Sequence, residues 1–367
     1  MQSFLAPKCL LVIAKSARML VQMCLDSGCE VVAIDCFTDS DTQQMTKQTY
    51  QVASLAWDDI RAAVEAAWRD YGLTHLLYGS GLERYPETLL NLEKHWQVIG
   101  NSAGTFQRIQ DKHDFFARLD SLSIPHPEVV FTQPDDDLDW LLKPWRGEGG
   151  MGIRRCGSSA DAAGGYWQRY IEGRSLSVLF VASRDRVELI GFNEQWTVKS
   201  DCEQSFVFAG IASHAEVSVS IQTEIADWIG RLVDTYELRG LNCMDFMLHD
   251  GQCYVLEVNA RISASAQLYG KSLLLPHLQA CENRLVDSVE LLSEPSAYQI
   301  VYSQKNVTIP ERLEWPIWAV DRPNPGAIVG KGEPICSIMA TGKNSGQVRE
   351  TLHRQQCILA NLLEKGL

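Results

Sequence analysis

The run Asn242-Cys243-Met244-Asp245-Phe246-Met247-Leu248-His249-Asp250-Gly251-Gln252-Cys253-Tyr254-Val255-Leu256-Glu257-Val258-Asn259-Ala260-Arg261 decides the fold of this chain. Two apolar, strand-like segments flank His249-Asp250-Gly251, and each carries an acid: Asp245 in the first, Glu257 in the second. A carboxylate inside an apolar strand is costly unless it has a partner. A three-residue hairpin loop with Gly251 at its left-handed third position places Asp245 opposite Val255, with Glu257 next along on the same face. The period of two adds Asn259 and Arg261 to that face and sends Tyr254, Leu256 and Val258 toward the core. Two acids and an asparagine so placed form a hard oxygen-donor set suited to Mg²⁺ held against phosphates. A two-residue Asp250-Gly251 turn would instead put the acids on opposite faces, and two acids satisfied by local arginine or backbone donors are the plainer alternative.

Upstream, Cys9 to Ala14 reads as a buried strand, residues 17–27 as a helix stopped by Gly28, and Glu30 to Asp35 as a second strand. A helix from Asp58 to Tyr71 with Ile60, Val64 and Trp68 on one stripe follows, then the strand Leu76-Leu77-Tyr78, the turn Gly79-Ser80-Gly81, a helix over 86–95 and a short strand at 97–100. Alternating strands and helices of this kind build a doubly wound parallel sheet. The turn after the first strand is Lys15-Ser16-Ala17-Arg18, without the glycine fingerprint of a dinucleotide site. The acids of Asp35, Asp39 and Asp41 follow the second strand and read as a polar loop, with a ligand held at the strand end as the alternative. Residues 102–122 read as helical, 176–182, 187–192 and 206–211 as strands of an antiparallel sheet, 220–236 as a long helix, and the Pro- and Gly-rich last seventy residues as a small β-rich lobe closed by a helix.

The chain has 367 residues, 46% of them hydrophobic and 22% charged, with a net charge of −13. That charge argues against nucleic acid or an anionic membrane as the main partner. No apolar run is long enough to span a bilayer and the N-terminus does not read as a signal peptide. The eleven cysteines are scattered, with no Cys-x-x-Cys pair, and read as reduced thiols of a cytoplasmic protein.

Three further segments carry chemistry. Lys143-Pro144-Trp145-Arg146-Gly147-Glu148-Gly149-Gly150-Met151-Gly152 ends a strand in a lysine and enters a glycine loop whose amides can approach phosphate oxygens. Gln168-Arg169-Tyr170-Ile171-Glu172-Gly173 offers backbone groups to an adenine edge. Lys112 lies in a helical segment, where a lysine is ordinarily a solvated surface residue.

The order and spacing of Asp111-Lys112, Lys143, Gly149-Gly150, Gly152, the hinge from Gln168 to Gly173, Asp245 and Glu257-x-Asn259-x-Arg261 resembles the ATP-grasp superfamily of carboxylate–amine ligases. The resemblance covers residues 5–345. It implies an α/β protein, α+β in its ATP-grasp part, divided into a doubly wound pre-ATP-grasp domain (1–100), a two-lobed ATP-grasp domain (101–300, flap 126–170) and a C-terminal lobe (301–367). It implies ATP and Mg²⁺ as cofactors. Lys112 and Lys143 would contact the phosphates, and Gly149, Gly150 and Gly152 would form a flap over them. Gln168, Tyr170, Ile171 and Glu172 would hold the adenosine; Asp245, Glu257 and Asn259 would bind the metal; Arg261, with Lys143, would act on the transferring phosphoryl group.

The implied partners are a small-molecule carboxylate and an amine, and relatives are often homodimers. Substrate contacts would come from Ser80, Gly81, Ser263, Ser265 and Lys271. Two positions depart from the pattern. Ser175 stands where many members hold the ribose with an acid, which leaves Glu172 as a substitute. Ser265 stands where biotin carboxylases carry their glutamate base, which argues against carboxylation of biotin. The short link at 161–165, the segment Gly191 to Gln195 and the C-terminal lobe are most similar to a biotin-carboxylase-related group that includes tyramine–glutamate ligases of methanofuran-type cofactor synthesis. This implies joining glutamate to an aromatic amine or precursor of a C1-carrier cofactor.

Overall fold

The computed structural model describes residues 7–136, 138–156, 164–184, 186–198, 206–270, 273–284 and 291–365; Lys271 and residues 161–163 of the flap link lie outside them. The chain opens with β1 (Cys9–Ala14), α1 (Arg18–Asp26), β2 (Glu30–Asp35), α2 (Ser40–Met45), β3 (Gln48–Gln51), α3 (Trp57–Tyr71), β4 (His75–Tyr78), α4 (Pro86–Glu93) and β5 (Gln97–Ile99). The five strands form one parallel sheet in the order β3-β2-β1-β4-β5. Leu10 to Ala14 are buried on both faces of β1, as a parallel strand covered on both sides requires. In α3 the inner stripe is Ile60, Val64 and Ala67, while Trp68 is 58% exposed. The spacing of four and then three residues keeps Ala67 on the buried face, so Trp68 does not belong to the expected stripe.

The segment expected to be a polar loop contains α2 and leads into β3. Asp35, Asp39 and Asp41 are buried. Asp35 accepts the Ala17, Phe37 and Thr38 amides, and Asp41 accepts those of Asp321 and Arg322. Asp321 in turn pairs with the buried Arg18 at 2.7 Å. These acids therefore tie the C-terminal residues 321–324 to the first sheet.

The helical stretch 102–122 is two helices, α5 (Ala103–Gln110) and α6 (Lys112–Ser121). Asp111 breaks it: its backbone is extended and its carboxylate accepts the His113 and Asp114 amides as an N-cap. Four short strands follow, β6 (Val129–Val130), β7 (Trp140–Pro144), β8 (Arg154–Cys156) and β9 (Gly165–Arg169). They pair antiparallel in the order β6-β9-β7-β8. The glycine segment joins β7 to β8.

The remaining elements are β10 (Arg174–Ser183), β11 (Arg186–Thr197), β12 (Phe208–Ser213), α7 (Val219–Tyr236), β13 (Gly240–His249), β14 (Gln252–Asn259), α8 (Leu274–Cys281), β15 (Ser296–Tyr302), β16 (Val307–Thr308), β17 (Ala319–Val320), β18 (Ile328–Val329), β19 (Pro334–Thr341) and α9 (Ser345–Lys365). An antiparallel sheet of eight strands runs β14-β13-β10-β11-β12-β15-β19-β17, so strands from the last seventy residues extend the sheet that carries the two acids. Ile221, Ile225, Trp228, Ile229 and Leu232 face inward from α7, as their spacing predicts. One apolar cluster joins α5, α6 and α7 to this sheet and to one face of the N-terminal sheet; a second joins α1, α8 and the opposite faces. Among the described residues no helix is long and apolar enough to cross a membrane.

Candidate active site

The hairpin of β13 and β14 turns through two residues, not three: His249 pairs with Gln252, and Asp250 and Gly251 both have positive φ, 48° and 81°. That is the geometry of an Asp-Gly type I′ turn. Without interruption it would separate the acids onto opposite faces. The register shifts between Asp245 and Phe246, however: Phe246 pairs with Val255, and Asp245 pairs with Glu257. Leu256 is the extra residue of a β-bulge. Burial follows the shift, with Cys253 and Val255 inward before it and Val258 and Ala260 inward after it. Tyr254 and Leu256 are thus not in the core, whereas Val258 is.

The bulge sets the two carboxylates face to face. Asp245 accepts hydrogen bonds from Gln195 Nε2 at 2.8 Å and Asn259 Nδ2 at 2.9 Å. Burial first, and then the Glu257 charge, push its carboxyl up to about 7. Burial also works against a charged Glu257, but Lys112, Lys143 and Arg261 hold its carboxyl below the usual glutamate range. Two opposed carboxylates with a carboxamide between them and Arg261 are a donor set that fits Mg²⁺, whose charge would relieve the repulsion. Asn259 gives its nitrogen to Asp245 and its oxygen to Arg261 Nη2, 3.1 Å away. Among the described residues there is no group of three or more His, Cys, Asp or Glu side chains placed to hold a metal, so the fit rests on two acids and this amide.

Both lysines reach the same floor. The Asp111 cap sets Lys112 at the first position of α6, where its side chain is 9% exposed and its Nζ lies 4.0 Å from Glu257 Oε2. It is not a solvated surface lysine. Lys143, at the end of β7, donates to Gln168 Oε1 on β9 at 3.1 Å. Burial holds its ammonium below the ordinary lysine range, with Glu257 opposing that shift. Among the described residues the Gln168 Nε2 donor beside it is buried without an acceptor, a position open to a further oxygen acceptor.

Gly149, Gly150 and Gly152 all have positive φ. A Cβ on Gly150 would collide with the Phe206 carbonyl oxygen, and the Phe208 amide donates to Gly149 O at 2.9 Å, so the glycine loop packs backbone to backbone against residues 206–208. Between Gly147 and Gly149, Glu148 reaches across to Lys15, the residue after β1, and forms an ion pair. At the hinge the Tyr170 amide donates to the Asp139 carbonyl at 2.9 Å. A cleft of about 560 Å³ opens there among Asp139, Arg155, Tyr170, Ile171, Glu172 and His249.

Arg261 donates from Nε to Glu83 and from Nη1 to Ser263 Oγ at 3.3 Å. Glu83 also accepts the Gly81 amide at 2.7 Å, and the Lys15 amide donates to Ser80 O at 2.8 Å. Ser80, Gly81, Ser263 and Arg261 are thereby brought to one seam. Ser265 is buried beside Cys243. Sequence reasoning missed Lys15, Glu83, Glu148 and Gln195 as members of the site. For Gln195 the period of two along β11 was a usable signal; Lys15 and Glu83 sit on turns with none.

Residues 109–265 match the ATP-grasp domain family. The chain is 23% identical over 266 residues to an uncharacterised protein of Methanocaldococcus jannaschii, covering 66% of this chain and 63% of that protein. It is 26% identical over 219 residues to the carbamoyl phosphate synthase large chain of Thermoplasma acidophilum, covering 53% of this chain and 20% of the relative. The chain thus spans less than two-thirds of either relative. Among solved structures, the fold is shared with biotin carboxylase from Campylobacter jejuni, with a TM-score of 0.74 at 14% identity over 94% of this chain and 90% of that one. It is also shared with an L-amino acid ligase from Bacillus licheniformis, with a TM-score of 0.70 at 13% identity over 96% and 98%.

Proposed function

We propose, from the match of residues 109–265 to the ATP-grasp domain family, that this chain is an ATP- and Mg²⁺-dependent ligase, forming ADP, that joins a carboxylate to an amine. The observation that carries the proposal is the pairing of Asp245 with Glu257 on a floor shared with Lys112, Lys143 and Arg261. An oxygen of the substrate carboxylate attacks the γ-phosphorus of ATP; the bond to the β-phosphate oxygen breaks and ADP leaves. The amine then attacks the acyl phosphate carbonyl, phosphate leaves with the C–O electron pair, and the amine's proton passes to solvent or a carboxylate. Such chemistry needs charge neutralisation and in-line placement more than covalent help. Lys112 and Lys143 supply positive charge to the phosphates, and Arg261 supplies N–H donors to the moving phosphoryl group. Held by Asp245, Glu257 and Asn259, Mg²⁺ would neutralise phosphate charge and orient the γ-phosphoryl group.

The hinge cleft takes the nucleoside, with Glu172 rather than Ser175 holding the ribose, because Glu172 lines it. The seam of Ser80, Gly81, Arg261 and Ser263 takes the acid. We assign glutamate as that acid and an aromatic amine or a C1-carrier cofactor precursor as the nucleophile; likeness to an L-amino acid ligase supports an amino acid in the first role. Carboxylation of biotin is disfavoured, since a serine hydroxyl at Ser265 has no basicity near neutral pH. A screen of amino acids against amines, beginning with glutamate and tyramine and read by Mg²⁺-dependent ADP release, tests the proposal. Release that requires both an acid and an amine supports it; tight ATP binding with no release for any pair would make the protein a catalytically silent ATP-binding module.

A further inference from the structure

The seat of Arg261 brings in a residue from far upstream. Arg261 follows the end of β14 where the N-terminal sheet abuts it: Tyr78 Oη and Asn101 Nδ2 both donate to the Ala260 carbonyl, at 3.1 and 3.0 Å. Glu83, in the short 3₁₀ turn Leu82–Arg84, accepts the Arg261 Nε–H at one carboxylate oxygen and the Gly81 amide at the other. The two side chains are 12% and 5% exposed. A guanidinium has five N–H donors. Glu83, Ser263 and Asn259 each engage one on a different nitrogen, which leaves, among the described residues, one on each terminal nitrogen. Asn259 also donates to Asp245, so the terminal end of Arg261 lies at the metal floor.

We propose that Glu83 is the positioning residue for Arg261, holding the guanidinium so that its two remaining donors meet the transferring phosphoryl group. The inference rests on the ligase reading above. Only a carboxylate accepts two donors from two directions without offering one; a glutamine would turn an N–H₂ toward either Gly81 N–H or Arg261. A buried ion pair adds little net stability compared with apolar packing, whereas fixing a charged fork at three corners supplies the directional preorganisation that transition-state stabilisation needs.

The test compares binding of MgADP alone with binding of MgADP plus fluoroaluminate, a mimic of the transferring phosphoryl group. The wild type should bind the mimic about tenfold or more tighter than MgADP. Glu83→Gln should lose that gain while its MgADP affinity stays within about twofold, and Glu83→Asp, which keeps the charge, should retain part of it. Combined with Arg261→Ala, Glu83→Gln should cost nothing further. A Glu83→Gln protein that keeps the full gain, that loses MgADP affinity in parallel, or whose loss adds to that of Arg261→Ala overturns the inference and leaves the ligase reading standing. If Glu83→Gln does not fold, Glu83→Asp decides: full retention, or parallel loss of MgADP affinity, overturns the inference. A wild type that binds MgADP without any gain removes the role of Arg261 and this inference with it, and one that binds no MgADP removes the ligase reading itself.

Discussion

Asp245 and Glu257 sit directly opposite one another across β13 and β14 because Leu256 is an extra residue in β14. The tight Asp250-Gly251 turn alone would put Leu256 opposite Asp245 and point Glu257 away. The bulge converts a hairpin with one acid per face into one with both acids on the face that Lys112 and Arg261 approach. Bulges gather at functional sites because one inserted residue re-aims every side chain beyond it.

Arg261→Ala should damage turnover far more than nucleotide affinity. On the proposed mechanism its remaining donors would meet a charge that moves only during transfer, so kcat should fall on the order of a hundredfold or more while the Kd for ATP changes by about threefold or less. Steady-state kinetics paired with ATP titration checks this. Equal loss in both would mean that Arg261 binds the ground state.

Lys15→Met should loosen ATP binding from a distance. Lys15 is the partner of Glu148 in the glycine loop, and the second carboxylate oxygen of Glu148 is buried with no hydrogen-bond partner among the described residues. Without Lys15 the closed loop buries an uncompensated charge, which favours the open loop. ATP affinity should weaken on the order of tenfold, about 1.4 kcal/mol, and Lys15→Arg should restore most of it. Unchanged ATP dissociation in Lys15→Met would show that the pair does not hold the loop.

His277 should give the fold a pH limit. Burial lowers its imidazole to about 4 from an ordinary value of 6.5, and its Nδ1 accepts the Leu241 amide at 2.9 Å, which holds α8 under the start of β13. Between those values the unfolded chain binds a proton that the folded chain excludes. Stability is therefore complete above pH 6.5 and is lost as pH falls toward 4, by on the order of 3 kcal/mol. Thermal unfolding across this window should show that slope, and His277→Gln, less stable at neutral pH, should show it reduced. An equal slope in the variant would assign the acid sensitivity to other groups.

The parallel sheet, α7 and the acid-bearing hairpin were legible because apolar runs, their periods and glycine stops are local signals. Lys112 was legible only through the order of motifs, because its burial depends on the Asp111 cap meeting Glu257 in space. The hairpin loop was misread because Asp250-Gly251 suits both a two- and a three-residue turn, and Leu256 is apolar whether it is bulged or buried. Trp68 continues the spacing of four from Ile60 and Val64, but the helix turns slightly faster than that and brings Ala67 to the buried face instead. Asp35 and Asp41 read as solvated because the amides that hold them include those of Ala17 for Asp35 and of Asp321 and Arg322 for Asp41, which stand elsewhere in the chain. Glu83 and Arg261 are 178 residues apart, and no local pattern joins them.

Whether Asp245 and Glu257 form the Mg²⁺ floor of an ATP site is decided by ATP titration calorimetry with and without Mg²⁺, on the wild type and on Glu257→Gln. Mg²⁺ should tighten ATP binding to the wild type by about tenfold or more, and Glu257→Gln should keep its fold and its melting behaviour but lose that effect. A wild type indifferent to Mg²⁺, or a Glu257→Gln protein that keeps the whole Mg²⁺ effect, would contradict that role for the two acids.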